Sequence, residues 1–192
     1  MRKFIKTKHK NAAVSKVIIE RLAERVKVRI FSARPGIIIG RHGSDIERLR
    51  EELSNIVKHV VSIDIEEVKN PAIDAQLVAE NVALQLEKRV AHRRAIKRVI
   101  EQAINAGAQG IKVTCAGRLG GAEIARFETY KQGKIPLQTL RADIDYGFAE
   151  SFTTFGLIGI KAWVYKGDIL GRPGLKSEAE KEAQSESLKR DK

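Results

Sequence analysis

The residues best suited to binding chemistry lie in one short loop, Gly40-Arg41-His42-Gly43. Its two glycines permit backbone conformations and a close approach that a side chain would block. Ser44 and Glu47 follow with the three-residue spacing of a capping box, which predicts that a helix begins there. The free amides and positive dipole end of such a helix favour an anion, and Arg41 adds a full positive charge. The loop is therefore predicted to bind a phosphodiester without reading base identity.

The charge of the chain also favours a polyanionic partner. The 192 residues carry a formal charge of +12 and a sequence pI of about 9.9, and nucleic acid is the commonest partner of a compact basic domain. An anionic membrane is the rival interpretation, but there is no apolar run of the roughly 18–20 residues that a bilayer span needs and no signal-peptide apolar region. A single cysteine, Cys115, excludes an internal disulfide framework. We expect a cytoplasmic protein.

An enzyme is the first alternative, and Asp143 with Asp145 is its best feature. Residues two apart in a strand face the same side, and two carboxylates there suit a divalent cation. A charge-paired surface that includes Arg141 explains them at least as well. The glycines do not match a phosphate-binding loop of the nucleotide-hydrolysing type, and the histidines show no zinc spacing. We therefore predict no catalytic activity, no cofactor and no metal.

The first half of the chain has the pattern of a small sheet with helices. The basic first ten residues suit a short helix or arm on phosphate, or a solvated terminus. Alternation of β-branched and charged residues predicts strands at 14–22 and 26–33, joined by a turn near residues 23–24. A short apolar turn at 36–40 precedes the glycine loop, a helix follows over 44–57, and a further strand is predicted at 60–68.

The second half predicts helices packed on a second sheet. Residues 74–106 keep helical periodicity without Gly or Pro. A single helix of that length would be unusual, because the mean α-helix has about 11–12 residues. We therefore place a helix-to-helix domain boundary near His92. Strands are predicted at 111–116, 122–130, 140–146 and 157–166, with a short helix at 150–155. Gly117 and Gly120 repeat the spacing of the first glycine pair, but they are interpreted as a hairpin turn. The polar residues 171–192 are predicted to be disordered.

Three strings of residues carry a resemblance to a known family. The element order around the glycine loop resembles a prokaryotic-type (type II) KH domain, whose GxxG loop clamps about four nucleotides. The strings at 33–40 (ARPGIIIG), 117–126 (GRLGGAEIAR) and 139–146 (TLRADIDY) closely resemble the bacterial small-subunit ribosomal protein S3 family, over about residues 2–170. The resemblance implies an α+β fold: a type II KH domain with a three-stranded sheet at 1–91, then a two-layer α+β domain with a four-stranded sheet at 92–170.

The same resemblance implies a role in translation. The family sits in the head of the small subunit, contacts small-subunit ribosomal RNA through both domains and lines the messenger RNA entry channel beside neighbouring ribosomal proteins. Its messenger-contacting residues match Arg93, Arg94 and Lys97, which helical spacing puts on or beside one face; a solvated basic face is the alternative. The expected RNA-binding residues are therefore Gly40, Arg41, His42, Gly43, Arg93, Arg94 and Lys97, with Arg118, Arg126, Lys131, Lys134 and Arg141 as further candidates for ribosomal RNA phosphates.

Two features of the chain depart from the family pattern. The family usually has a segment before the position of Met1, so we expect a trimmed chain or a short form. Arg41 and His42 stand where relatives often carry two lysines.

The second alternative is a free KH regulator of cellular RNAs. Such a regulator shares the loop and the charge, and only the second-domain strings distinguish it from the ribosomal family. The loop gives no reason to prefer DNA.

Overall fold

The computed structural model describes residues 1–21 and 25–169, which form two sheets, each with its own hydrophobic core. The predicted turn near residues 23–24 and the predicted disorder of residues 171–192 lie outside the described residues. No helix in the described part of the chain is long and apolar enough to cross a membrane.

The N-terminal sheet has three strands in the order β1-β2-β3. Strands β1 and β2 run antiparallel, whereas β2 and β3 run parallel. A parallel pair needs a crossover, and here the crossover consists of two helices with the glycine loop between them. The elements are helix α1 (Arg2–Lys8), strand β1 (Val14–Arg21), strand β2 (Arg25–Ser32), helix α2 (Pro35–Ile39), helix α3 (Ser44–Val57) and strand β3 (Val60–Glu67).

The first core explains why the loop is held in place. Alternate residues of β2, among them Val28 and Ile30, face the helices and are fully buried. Ile38 of α2 and Leu49 and Leu53 of α3 complete the same core. The two helices that flank the glycine loop are thus fixed to the sheet by their apolar faces, which confirms the predicted arrangement of a three-stranded sheet with helices.

The C-terminal sheet has four antiparallel strands in the order β5-β4-β7-β6, covered on one face by two helices. This confirms the predicted two-layer α+β architecture. The elements are helix α4 (Ala75–Glu87), helix α5 (His92–Asn105), and strands β4 (Gly110–Gly117), β5 (Arg126–Gly133), β6 (Ala142–Thr153) and β7 (Gly156–Asp168).

Helix α4 packs on the second sheet, not on the first. Its Val82 shares a core with Ile96 of α5 and Ile160 of β7, and all three are fully buried. The helix begins at Asp74, whose side chain accepts a hydrogen bond from the Leu77 amide at 3.0 Å. The predicted boundary between residues 91 and 92 therefore falls inside the second core, and we propose that the chain divides before Asp74. The break between α4 and α5, where Arg89 has a φ of 60°, separates two helices that share one core.

Three local predictions were wrong. Residues 150–155 belong to β6 and its hairpin, because residues 146–152 alternate between exposed and buried positions as in a strand. The capping box is not formed: Gly43 is the N-cap of α3, and the Ser44 hydroxyl donates to the Arg41 carbonyl oxygen at 3.0 Å. The apolar stretch expected to be a turn is helix α2, with Pro35 in its first turn.

Candidate RNA interface

The glycine loop connects α2 to α3, and its backbone has conformations that residues other than glycine rarely adopt. Gly40, His42 and Gly43 all have positive φ, at 71°, 53° and 78°. A Cβ atom at Gly40 would lie 2.1 Å from Oδ2 of Asp45, whereas at Gly43 it would meet only Ile46 Cγ2, at 4.0 Å. Gly40 is therefore required by local packing, whereas Gly43 borders open space in which a ligand can approach.

The side chains of the loop leave its outer surface accessible. Arg41 and His42 are both exposed, and neither takes part in an ion pair among the described residues. The first turn of α3 follows directly, so its free amides point towards the loop. This arrangement suits a phosphate group held by backbone amides and one arginine.

A second basic surface lies on α5, in the other domain. Arg93, Arg94, Lys97 and Arg98 line a shallow surface depression of about 520 Å³ together with one acid, Glu101. All four cationic side chains are exposed because the opposite face of α5, with Ile96 and Ile100, is buried against the sheet. The structure thus brings the three residues Arg93, Arg94 and Lys97 together on one solvent-facing surface, which we call the α5 basic face.

Glu128 of β5 holds the start of this face. Its carboxylate accepts hydrogen bonds from Arg93 at 3.1 Å and from the Tyr130 hydroxyl at 2.9 Å, and it lies 3.2 Å from Nε2 of His92. Hydrogen bonds from Arg93 and then Tyr130 lower the pKa of Glu128 to about 2. The same contacts raise the pKa of Arg93 and of Tyr130. The carboxylate is therefore charged at neutral pH and fixes the direction of the Arg93 side chain.

The other predicted cations are spread over the second domain. Arg126 is exposed and lines a depression with His92, Arg93 and Glu128, so the structure joins it to the α5 basic face. Arg141 donates to Asp168 at 3.1 Å. Lys131 and Lys134 are exposed on and after β5, away from that depression.

Arg118 has a structural role. Its Nε donates to the Ala122 carbonyl oxygen at 2.9 Å and its Nη1 to the Phe155 carbonyl oxygen at 3.4 Å. Its stretch of chain connects the antiparallel strands β4 and β5, which confirms the interpretation of the second glycine pair as a hairpin connection.

The two aspartates considered as a cation site are used in other ways. Asp145 accepts from the Ala75 amide and from Lys166, both at 3.2 Å. The pairing of β6 with β7 shifts between Asp143 and Ile144, which disturbs the regular alternation on which the shared face depended. Within residues 1–21 and 25–169, no group of three or more potential ligands is arranged to hold a metal ion.

Sequence reasoning missed two features of this surface. Glu128 is separated from Arg93 by 35 residues, and no local pattern signals that pairing. Phe152 and Phe155 are exposed at the β6–β7 hairpin beside the start of α5. Both phenylalanines fall within the short helix predicted at 150–155, so no signal in the sequence marked them as exposed at a hairpin.

The comparisons with known proteins agree with this architecture. Residues 1–73 match the KH domain family, and residues 82–164 match the family described as "Ribosomal protein S3, C-terminal domain". A protein of Carboxydothermus hydrogenoformans is 56% identical over 179 residues, which cover 93% of this chain and 80% of the relative. One of Desulfitobacterium hafniense is 59% identical over 170 residues, covering 88% and 78%. Both are described as "Small ribosomal subunit protein uS3".

A KH domain followed by a helix-on-sheet domain with a basic helix face defines a two-domain RNA-binding protein. The extent and the level of identity with these relatives then decide the family. The chain belongs to the small ribosomal subunit protein uS3 family, a family of structural and not enzymatic proteins.

Proposed function

We propose that this protein is a structural component of the small ribosomal subunit that binds ribosomal RNA and contacts incoming messenger RNA. The chain matches its relatives over 78–80% of their length, and these relatives are described as small ribosomal subunit proteins. The observation that carries the messenger RNA contact is the α5 basic face, because Arg93, Arg94 and Lys97 stand exposed together on one rigid helix. Neighbouring ribosomal proteins are the further partners, and the cytoplasmic ribosome is the location.

The proposed contact with ribosomal RNA uses both domains. In the first domain, the loop from Gly40 to Gly43 offers backbone amides and Arg41 to a phosphodiester. In the second, Arg126 extends the α5 basic face, while Arg118, Lys131, Lys134 and Arg141 remain predicted phosphate contacts. Two surfaces on separate cores give the RNA two points of attachment, which favours a fixed position in an assembly.

The proposed messenger RNA contact needs no base recognition. Guanidinium and ammonium groups bind phosphates of any sequence, so a message slides past them without a preferred register. Because α5 is packed on the sheet through Ile96 and Ile100, the cations stay in place while the strand moves. Contacts that these cations make to a strand while it is unpaired stabilise the unpaired state by mass action, and so oppose refolding of a hairpin in the same message.

The test is replacement of Arg93, Arg94 and Lys97 by alanine in the intact ribosome. We expect normal assembly of the small subunit and slower translation of a message that carries a stable hairpin, with unchanged translation of a matched message in which the hairpin is disrupted. Equal slowing on both messages, or loss of assembly, contradicts the proposed messenger RNA contact.

A further inference from the structure

A cleft of about 670 Å³ lies beside the first turn of α5, where three connections of the second domain meet. The α4–α5 connection, the β4–β5 connection and the β6–β7 hairpin form its walls, and we call it the hairpin cleft. Its volume is in the range of sites that hold small molecules or single groups of larger ones. His92, the first residue of α5, lines the cleft, and the next residue, Arg93, begins the α5 basic face.

The interior of the hairpin cleft combines an apolar base with exposed aromatic rings. Leu86 and Ile158 are buried at its base. Phe152, near the end of β6, is 67% exposed, and Phe155 is 54% exposed in the two-residue turn at 154–155, where small or polar residues are usual. The Phe155 ring lies against Gly121, where an added Cβ would come within 3.2 Å of it. A glycine at this place gives the ring room to stand at the mouth of the cleft.

The polar groups of the hairpin cleft suit a nucleobase. The Arg118 guanidinium lies 5.7 Å from the centre of the Phe155 ring and is held by two backbone carbonyl oxygens. Arg89 adds a second cation at the rim. Glu87, the one carboxylate among the described residues that line the cleft, accepts a hydrogen bond from the Phe152 amide at 3.2 Å. A base has a flat face that stacks on phenyl rings and guanidinium planes, while its polar edge needs hydrogen-bonding groups.

We infer that the hairpin cleft binds one unstacked base of the RNA strand whose phosphates lie on the α5 basic face. The inference rests on the proposed function, because the α5 basic face supplies the strand. Phosphate contacts hold the strand next to the cleft, and capture of a base there removes that base from pairing. Stacking is tolerant of sequence because every base has such a face, so the site suits a message of any sequence.

The test compares Phe155→Leu with Phe148→Leu, an exposed phenylalanine of β6 that does not line the cleft. The probes are a labelled single-stranded oligoadenylate and an abasic ribose-phosphate oligomer of the same length, bound to the full chain. Leucine keeps the apolar volume and the carbonyl contact to Arg118 but removes the ring. We expect Phe155→Leu to weaken oligoadenylate binding by about fivefold or more, as loss of a base–aromatic stack does, and to leave abasic binding unchanged. Phe148→Leu should alter neither.

The outcomes separate this inference from the proposed function. Unchanged oligoadenylate affinity in Phe155→Leu overturns the base site, and a protein segment then becomes the better occupant of the cleft. An equal loss for both probes also overturns it, since the ring would then act only through the fold. The triple alanine variant of Arg93, Arg94 and Lys97 should weaken both probes. If it binds the abasic oligomer as the unmodified protein does, the α5 basic face itself is refuted.

Discussion

The Arg93 guanidinium donates to the carboxylate of Glu128 at 3.1 Å, across the gap between α5 and β5. Glu128 thereby fixes one of the cations proposed to contact messenger RNA and also competes with phosphate for it. The Arg93 side chain remains 69% exposed in this pair, so a phosphate can reach it from the solvent side. The contact that orients the Arg93 side chain therefore also lowers its affinity for phosphate.

Replacement of Glu128 by Gln should strengthen RNA binding. The change removes one negative charge and releases Arg93 towards phosphate. Exposed ion pairs contribute little, so we expect the binding of single-stranded RNA at low salt to tighten by about fivefold or less. The measurement is fluorescence anisotropy with a labelled oligonucleotide. Glu150→Gln, on the exposed face of β6, changes the net charge equally and is the control; equal tightening in both variants would show only a general charge effect.

The same carboxylate predicts a pH dependence of stability. Hydrogen bonds, of which the one from Arg93 has the largest effect, lower the pKa of Glu128 from an ordinary 4.5 to about 2. The folded state therefore binds fewer protons than the unfolded state between these values, so this contribution is complete above pH 4.5 and is lost as the pH falls towards 2. Urea unfolding at pH 5 and pH 3 should show a smaller drop in the free energy of unfolding for Glu128→Gln than for the unmodified protein. Equal drops would mean that Glu128 titrates normally.

The glycine loop is tested by a matched pair of variants at Gly43. Asp and Asn have the same shape and both tolerate a positive φ, and an added Cβ meets nothing closer than 4.0 Å. Both should therefore fold with similar thermal midpoints. Only Asp places a negative charge where phosphate is expected, and like charges about 4 Å apart repel by ~1 kcal/mol even in bulk water. We expect Gly43→Asp to bind RNA at least about fivefold more weakly than Gly43→Asn. Equal affinities would show that phosphate does not bind on this side of the loop.

The packing of β6 on α4 is tested at Gly147. A Cβ atom there would lie 2.2 Å from the Ala75 carbonyl oxygen and 2.5 Å from the Gln76 amide nitrogen, and backbone atoms cannot move aside cheaply. Gly147→Ala should lower the free energy of unfolding by about 1–3 kcal/mol, as overpacking does. At Gly159 of the neighbouring strand the nearest atom is Phe148 Cε2 at 3.7 Å, so Gly159→Ala should stay within about 0.5 kcal/mol. Similar urea midpoints for the two variants would contradict this packing.

The sequence predicts elements well where the apolar pattern is strong. Strand β2 alternates buried Val28 and Ile30 with charged residues, and its prediction agrees with the structure to within about one residue at each end. Strand β6 was partly misread as helix because its buried positions carry the small residues Gly147, Ala149 and Ser151, while aromatic residues face outwards. The large apolar residues of β6 lie on its exposed side, so the alternation in hydrophobicity does not mark the buried side of the strand.

The candidate site was predictable in part. The glycine loop and the α5 cations lie within short stretches of chain, where spacing alone brings them together. Glu128 and Phe155 reach the start of α5 only through sheet pairing, and contacts between residues so far apart leave no local trace. The boundary predicted near His92 and the one proposed before Asp74 differ for a related reason: α4 and α5 form one periodic stretch in the sequence, and only the structure shows that both share a core with β7.

The most direct test of the proposed role is the sedimentation of the native protein in a magnesium-containing sucrose gradient of cell lysate. We expect stoichiometric comigration with the small ribosomal subunit, and its loss after digestion of the RNA. A predominantly free or substoichiometric pool would contradict the structural ribosomal role and would favour a KH regulator of cellular RNAs.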